Sequence, residues 1–445
     1  MSLQRKIGAP QLWAIAVGMV ISGQYFGWNF GFTAGGLYGL IIAAFMVTVF
    51  YLCFMFSYAE LTTAIPHAGG AMAYAYKAFG PLLGYISGIA CLLEFTFAPP
   101  AIAVAIGSYV HFLFPFIAAH AATIAAFIIC IMINLSGTKN VAWFEFIVTI
   151  TALFGLLFYY AFGLAKVNIS HLSGGQHFLP HGISGIFAAI PFAIWLYLGI
   201  EGGAMAAEEV REPHKDISKG FIMAILTLTA CSFFTIFITV GLDGTMRSVT
   251  DHPLPYALLL AYPFHQWLSY LIDILGLFGL FASLNGLIIG YSRQAYALAR
   301  AGYLPRLLAN LSRQNVPHWA LIIPGIFGII VAGSASFSNS LIILAVFAAT
   351  LTYFISLLAL FKLRKTNKAL YRPFKVFYPI VPFIAIILGM VCLASVFYYA
   401  ILNNKLHIFI YEIPLLAVLA CIIVIATIYF FYRRHRQGIF NLDKK

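Results

Sequence analysis

From Leu12 to Tyr432 the chain is a succession of long apolar runs parted by short polar breaks. A helix of about 20 apolar residues crosses the ~30 Å hydrocarbon core of a bilayer. Twelve such runs can be counted. They are Leu12–Thr33, Leu37–Thr63, Leu82–Phe114, His120–Ser136, Phe144–Leu164, Ile186–Val210, Phe221–Gly241, Ser269–Ala299, Leu321–Gly333, Leu341–Phe361, Pro379–Ile401 and Ile408–Tyr432. The ninth is short for a crossing. Charged residues are 9% of the 445, hydrophobic residues are 62%, and mean hydropathy is +0.96. A soluble surface carries about 25–35% charged residues, so a soluble enzyme and a disordered chain are excluded. The expected fold class is an all-α integral membrane protein with twelve transmembrane helices, forming a single domain over residues 1–445.

The 25 Lys and Arg against 13 Asp and Glu give a net charge of +12. With the N-terminus placed in the cytoplasm, 22 of the basic residues fall inside. Only Lys166, Arg247 and Lys405 fall outside. Positive charge accumulates on the cytoplasmic side of membrane proteins. The excess is therefore a topology signal, not a nucleic-acid footprint. It places both termini inside a multi-pass protein of the cytoplasmic membrane. The six cysteines (Cys53, Cys91, Cys130, Cys231, Cys392, Cys421) lie in apolar runs without C-x-x-C spacing and read as small buried residues. The histidines show no H-E-x-x-H spacing and no phosphate-binding loop is present. No cofactor is expected.

Two runs carry small and polar residues at their centres. The first contains Ser22-Gly23-Gln24-Tyr25-Phe26-Gly27-Trp28-Asn29, and the sixth contains Trp195, Gly199, Ile200, Glu201, Gly202 and Gly203. Close helix packing is the plain explanation for either alone. Together they stand five spans apart, and interrupted helices at matching positions mark the binding site of a secondary transporter. Unwound backbone is tolerated at membrane depth where it lines a cavity or is buried in protein. The expected organisation is a five-plus-five inverted repeat over about residues 12–362. Two further helices follow over 379–432, then a cytoplasmic tail at 433–445.

The acids sort by depth. Glu208, Glu209, Glu212, Asp216 and Asp443 fall inside, and Asp243, Asp251 and Glu412 outside, all in solvent. Glu60 and Glu145 sit near inner helix ends and Asp273 near an outer helix start, where acids suit a helix N-terminus. Glu94 lies 12 residues after Leu82, about 18 Å deep at 1.5 Å per residue. Gln24 reaches a similar depth from Leu12. Glu201 falls in the sixth run's interruption. A midplane carboxylate is costly and marks function by default. No midplane Lys or Arg neutralises either Glu, which favours an incoming cation.

The chain also resembles the amino acid–polyamine–organocation transporters. Tyr58-Ala59-Glu60-Leu61 with Pro66, Gly69, Gly70, Tyr74, Phe79 and Gly80 is similar to that superfamily's loop after the second helix. Trp195, Gly199-Ile200-Glu201, Glu208-Glu209-Val210, Pro213 and Ile217 resemble its sixth helix, and Ser292-Arg293 through Ala301-Gly302-Tyr303-Leu304-Pro305 the end of its eighth. Amino-acid carriers usually have a Gly-Ser-Gly-Ile-Phe-type turn in the first helix. Here Ser22-Gly23-Gln24-Tyr25-Phe26 stands instead, and with Leu93-Glu94-Phe95 and Ala98-Pro99-Pro100 it is similar to the ethanolamine permeases. The resemblance implies a LeuT-type fold and alternating access. It also implies a small protonated amine as substrate, carried alone, exchanged, or coupled to a proton or, less readily, to sodium through Ser283. On that basis Glu94 takes the ammonium. Gln24, Tyr25, the backbone at Ser22–Gly23 and Gly199–Ile200, Trp195 as wall or gate, and Asn285 complete the shell. Glu201 couples or gates, and the two Glu roles can be exchanged. Asn285 has interhelical hydrogen bonding as its plain alternative. An amino-acid or polyamine carrier of the same superfamily is the alternative function.

Overall fold

The computed structural model describes residues 7–172, 179–243, 250–314, 316–333, 338–402, 406–408, 411–413 and 415–437. The first half runs α1 (Ala9–Val20), α2 (Ser22–Tyr25), a 3₁₀ turn (Trp28–Phe30), α3 (Gly31–Ala64), α4 (Ala71–Phe79), α5 (Pro81–Leu113), α6 (Ala119–Leu135), α7 (Thr138–Leu164) and α8 (Ile169–Leu172). It continues with α9 (Gly182–Trp195), a 3₁₀ stretch (Ile200–Glu209) and α10 (Pro213–Leu242). The remainder is α11 (Pro253–Ala261), α12 (Gln266–Arg300), a 3₁₀ turn (Arg306–Ala309), α13 (His318–Ala332), α14 (Ser338–Thr366), α15 (Ile380–Leu402), strands β1 (Leu406–Ile408) and β2 (Tyr411–Ile413), and α16 (Leu415–Gln437).

Among the described residues eight helical segments are long and apolar enough to cross a membrane, and α6 and α13 are shorter apolar helices. Large apolar side chains such as Phe45, Phe154, Leu157, Phe233, Ile330 and Phe383 point outward, as a lipid-facing surface requires. The core is aromatic and buried, with Trp28, Tyr25, Tyr51, Tyr58, Tyr109 and Tyr353 among its largest members. Helix α5 packs between α12 and α14, and α3 packs along α9.

The apolar runs locate most helices within a few residues. The twelfth run is the exception, since its first residues form an antiparallel hairpin, Leu406 opposite Ile413 and Ile408 opposite Tyr411. Alternating β-branched and aromatic residues suit a strand as well as a span. Two short helices, α4 and α11, escaped the hydropathy pattern because they connect spans. Helix α7 begins at Thr138, six residues before the run expected from Phe144, because polar residues are tolerated in a first turn. Of the cysteines, Cys91, Cys130, Cys231 and Cys392 are buried, but Cys53 is half-buried and Cys421 exposed.

Candidate functional site

Both expected interruptions are present. Helix α1 gives way after Val20 to the single turn α2. Phe26 is then extended (φ −159°, ψ 152°) and Gly27 has φ 94°. Helix α9 ends at Trp195, and Gly199 has φ 93° before the 3₁₀ stretch. Positive φ is costly for residues with a Cβ, so glycine at these two points permits the unwinding.

The breaks touch each other. A Cβ on Gly23 would collide with the Trp195 carbonyl oxygen. Gln24 Nε2 donates to Leu196 O at 3.0 Å and to Ser232 Oγ at 3.1 Å, tying the first break to the second and to α10. The Ser22 amide donates to Ser283 Oγ at 2.9 Å, and Ser283 Oγ donates to Gly18 O at 2.8 Å. Gly27 N–H donates to Asn29 Oδ1 at 3.1 Å. The Gln24 and Phe26 amides donate to Ile21 O and Ser22 O, each at 3.0 Å. Four amides of the first break are thus taken up within the protein.

Beside the breaks lies a two-carboxyl cluster. Glu94 from α5 and Glu201 from the 3₁₀ stretch are both buried. Tyr353 from α14 joins them. Its hydroxyl is 2.8 Å from Glu201 Oε2 and 3.3 Å from Glu94 Oε1, while Tyr51 donates to Tyr353 Oη at 3.4 Å. A phenol has one hydrogen to give, so it serves one carboxylate at a time and the shorter contact is to Glu201. Among the described residues no other side chain or backbone group donates to Glu94 Oε2 or Glu201 Oε1, and the two carboxyl groups lie within hydrogen-bonding reach of each other, where one proton can be shared. Aromatic rings enclose the cluster. Phe54 lies 4.5 Å and Tyr51 5.6 Å from the Tyr353 ring, and Tyr197 stacks on Tyr51 at 5.0 Å. Unpaired carboxylates in an apolar, aromatic shell are costly. A cation would relieve that cost through charge and through the ring faces.

The other expected residues point elsewhere. Tyr25 donates to Ala152 O at 2.6 Å and packs on Gly276 and Gly279 of α12. Trp195 lies edge-on to Phe26, with ring centroids 6.2 Å apart, and covers Gly27. It seals the contact between breaks rather than walling the carboxyl cluster. Ile200 is buried, its amide donating to Tyr197 O at 3.3 Å. Asn285 donates to Glu145 Oε2 at 2.8 Å and accepts from Asn134 Nδ2 at 2.7 Å, the interhelical bonding that was its alternative.

Four acids need correction. Glu145 is buried two turns inside α7, and helix-end electrostatics fade beyond the first turn. Asp273 is likewise buried inside α12, its oxygens unpartnered among the described residues. Asp243 is buried at the end of α10 rather than solvated. Asp251 is partly buried, which pushes its carboxyl above the usual range. Glu60 stands near its helix end as expected. There it accepts Arg364 Nε and Nη2 at 2.7 and 2.6 Å and the Val376 amide at 2.9 Å, a structural clamp between α3 and α14. Tyr353 and Tyr51 were missed. A tyrosine inside an apolar run reads as packing, and only its mid-span depth could have raised it.

Sequence comparison agrees with this architecture. A family model described as amino acid permease matches residues 7–428. An uncharacterized transporter of Rhizobium meliloti is 29% identical, covering 68% of this chain and 67% of its own. The branched-chain amino acid permease BcaP of Bacillus subtilis is 25% identical over 70% of each chain. The methylthioribose transporter of the same organism is 26% identical over 97% of this chain and 94% of its own. The ethanolamine branch expected from the sequence is finer than these matches. Burial of the breaks, the carboxyl cluster at their side and a family match over nearly the whole length agree: this chain belongs to the amino acid permease family of membrane transporters.

Proposed function

We propose that the protein carries an amino acid or a related small amine across the cytoplasmic membrane by alternating access. The supporting observation is the Glu94–Tyr353–Glu201 cluster, with two carboxylate oxygens inside an aromatic shell that take no donor from any other described residue. In this proposal Glu94 and Glu201 share the substrate ammonium through charge-assisted hydrogen bonds. Tyr353 gives its single hydrogen to one of the two carboxylates, at the shorter contact Glu201. The two breaks form the pivot. Twelve crossings, a five-plus-five repeat and cytoplasmic termini belong to the same proposal, supported by the positive-inside bias. A proton is the preferred coupling ion. Sodium at Ser283 is disfavoured, because that hydroxyl is already committed to Gly18 O and the Ser22 amide.

A second possibility is an amine without a carboxylate, ethanolamine above all. It is supported by the first-break amides, which elsewhere in the family take a substrate carboxylate and here have partners within the protein. Binding on purified protein decides between them. Neutral and cationic amino acids, ethanolamine and putrescine are titrated at two pH values, followed by counterflow in proteoliposomes. Tighter binding of an amino acid than of its decarboxylated amine supports the first proposal, and the reverse order supports the second. Absence of trans-stimulation by any bound solute would overturn both.

A further inference from the structure

Away from that cluster another buried carboxylate, Glu145, faces its own cavity. The cavity, about 100 Å³, lies toward the face that carries the N-terminus. It is lined by Met19, Asn134, Glu145, Gly286, Glu209 and Arg293 among others. That is room for water, whose share of liquid volume is about 30 Å³. Its lining mixes apolar side chains such as Ile15, Val316 and Leu321 with one ion pair. Arg293 Nη2 pairs with Glu209 Oε1 at 2.9 Å. Beside it the N-terminal Ile7 forms a parallel bridge with Val210, its amide donating to Glu209 O at 3.0 Å.

At the inner end the side chains are ordered in a chain of donors. Asn134 Nδ2 gives to Cys130 O and to Asn285 Oδ1, and Asn285 Nδ2 gives to Glu145 Oε2. Both amides are committed in one direction, so Oε2 is held as an acceptor. The other oxygen, Oε1, has no partner among the described residues, and neither does Thr149 Oγ1. Both sit against Gly18 of α1, where an added Cβ would meet them at 2.5 Å each. Glycine at position 18 leaves these oxygens their space. The cluster is separate from Glu94 and Glu201. The Met19 side chain fills the gap, since Cβ atoms on Gly286 and on Gly202 would both meet it.

We propose that Glu145 is a proton-binding site in its own right, loaded through the cavity behind the Glu209–Arg293 pair. Hydronium gives its proton to Oε1 and leaves as water, and release reverses the step. Two free oxygens suit a proton. They fall far short of the 6–8 oxygen ligands that calcium takes. The titratable and charged groups around Glu145 are Cys130 on α6, Arg293 on α12 and Glu209 at the end of the 3₁₀ stretch. Helix α1 contributes no titratable group there, only Ile15, Gly18 and Met19. When the rim pair parts, the charge of Arg293, which lines the cavity, favours the ionised, proton-releasing form. The site stands whether the cargo is an amino acid or another amine.

The test is infrared difference spectroscopy between two pH values on purified full-length protein in lipid nanodiscs. Wild type should show a protonated-carboxyl C=O band that titrates. Glu145→Gln should lose it, while Glu94→Gln and Glu201→Gln keep it, because the cavity is separate. Glu145→Asp guards against a fold defect in the first variant and should move the band without removing it. A spectrum identical to wild type in both Glu145 variants would overturn the proposal. Counterflow whose dependence on pH at the N-terminal face survives in Glu145→Gln would also count against a role in transport.

Discussion

Glu94 and Glu201, 107 positions apart in sequence, meet on opposite sides of one hydroxyl, that of Tyr353. Three separate spans supply the three groups. If they hold an ammonium, Glu94→Gln or Glu201→Gln should weaken binding of a cationic solute by about 10- to 100-fold, since a hydrogen bond to a charged group is worth about 1.5–3 kcal/mol. Isothermal titration on purified variants measures this. Unchanged affinity in both would remove the pair from the substrate site.

Tyr353→Phe keeps the ring against Phe54 and removes the bridge. Loss of one neutral donor is worth about 1 kcal/mol, so affinity should fall by about fivefold. The aromatic packing should leave the melting temperature close to wild type. A large thermal loss with intact binding would instead make Tyr353 a structural post.

Gly23 is where the two interrupted helices touch. Gly23→Ala forces a Cβ onto the Trp195 carbonyl oxygen, which is backbone and cannot rotate away. Overpacking of this kind costs about 1–3 kcal/mol. The variant should melt several degrees lower and exchange solute more slowly. A wild-type melting curve and rate would show that the breaks have more freedom than the contact implies.

Glu60 is buried between Arg364 and Arg372. Glu60→Gln leaves both guanidiniums without their counter-charge, and breaking a buried pair costs about 3–5 kcal/mol. Reduced yield and a lower melting temperature, with ligand affinity per folded molecule unchanged, are expected. Equal yield and melting would place the clamp outside the stability of the bundle.

His252 caps the start of α11, with its ring 4.8 Å from that of Phe112 and Nδ1 3.1 Å from Ser108 Oγ. Burial pulls its pKa from 6.5 down to about 4. The unfolded chain then takes up a proton that the folded one refuses, so stability is full above pH 6.5 and drains as pH falls toward 4. The loss across that window should be on the order of 2 kcal/mol. Thermal melts at stepped pH should show a shallower acid slope for His252→Gln, and an equal slope would exonerate the ring.

The sequence made some of this site legible and hid the rest. The glycine-rich interruptions were visible because small and polar residues stand out against Leu and Ile. Glu94 and Glu201 were visible because a carboxylate at mid-depth has few excuses. Tyr353 was not, since an aromatic costs nothing in an apolar run and its partners lie 152 and 259 positions away. Gln24 was visible as an oddity; its Nε2 is spent on Leu196 O and Ser232 Oγ, while its Oε1 has no partner among the described residues. Whether an amide faces a substrate or a neighbouring helix depends on a contact with Leu196, 172 positions on. Glu145 was assigned to a helix end because hydropathy begins counting six residues after the helix does.

The single phenol hydrogen has one further consequence. With both carboxylates ionised and no cargo, one of them always faces the rings without a donor. Under the proposed function an empty carrier would then move two negative charges through its reorientation, whereas a bound ammonium would cancel one of them. Return without cargo would then be the slow leg of the proposed cycle. Such kinetics would favour trading one solute for another over returning empty, unless a proton takes the place of the absent cargo.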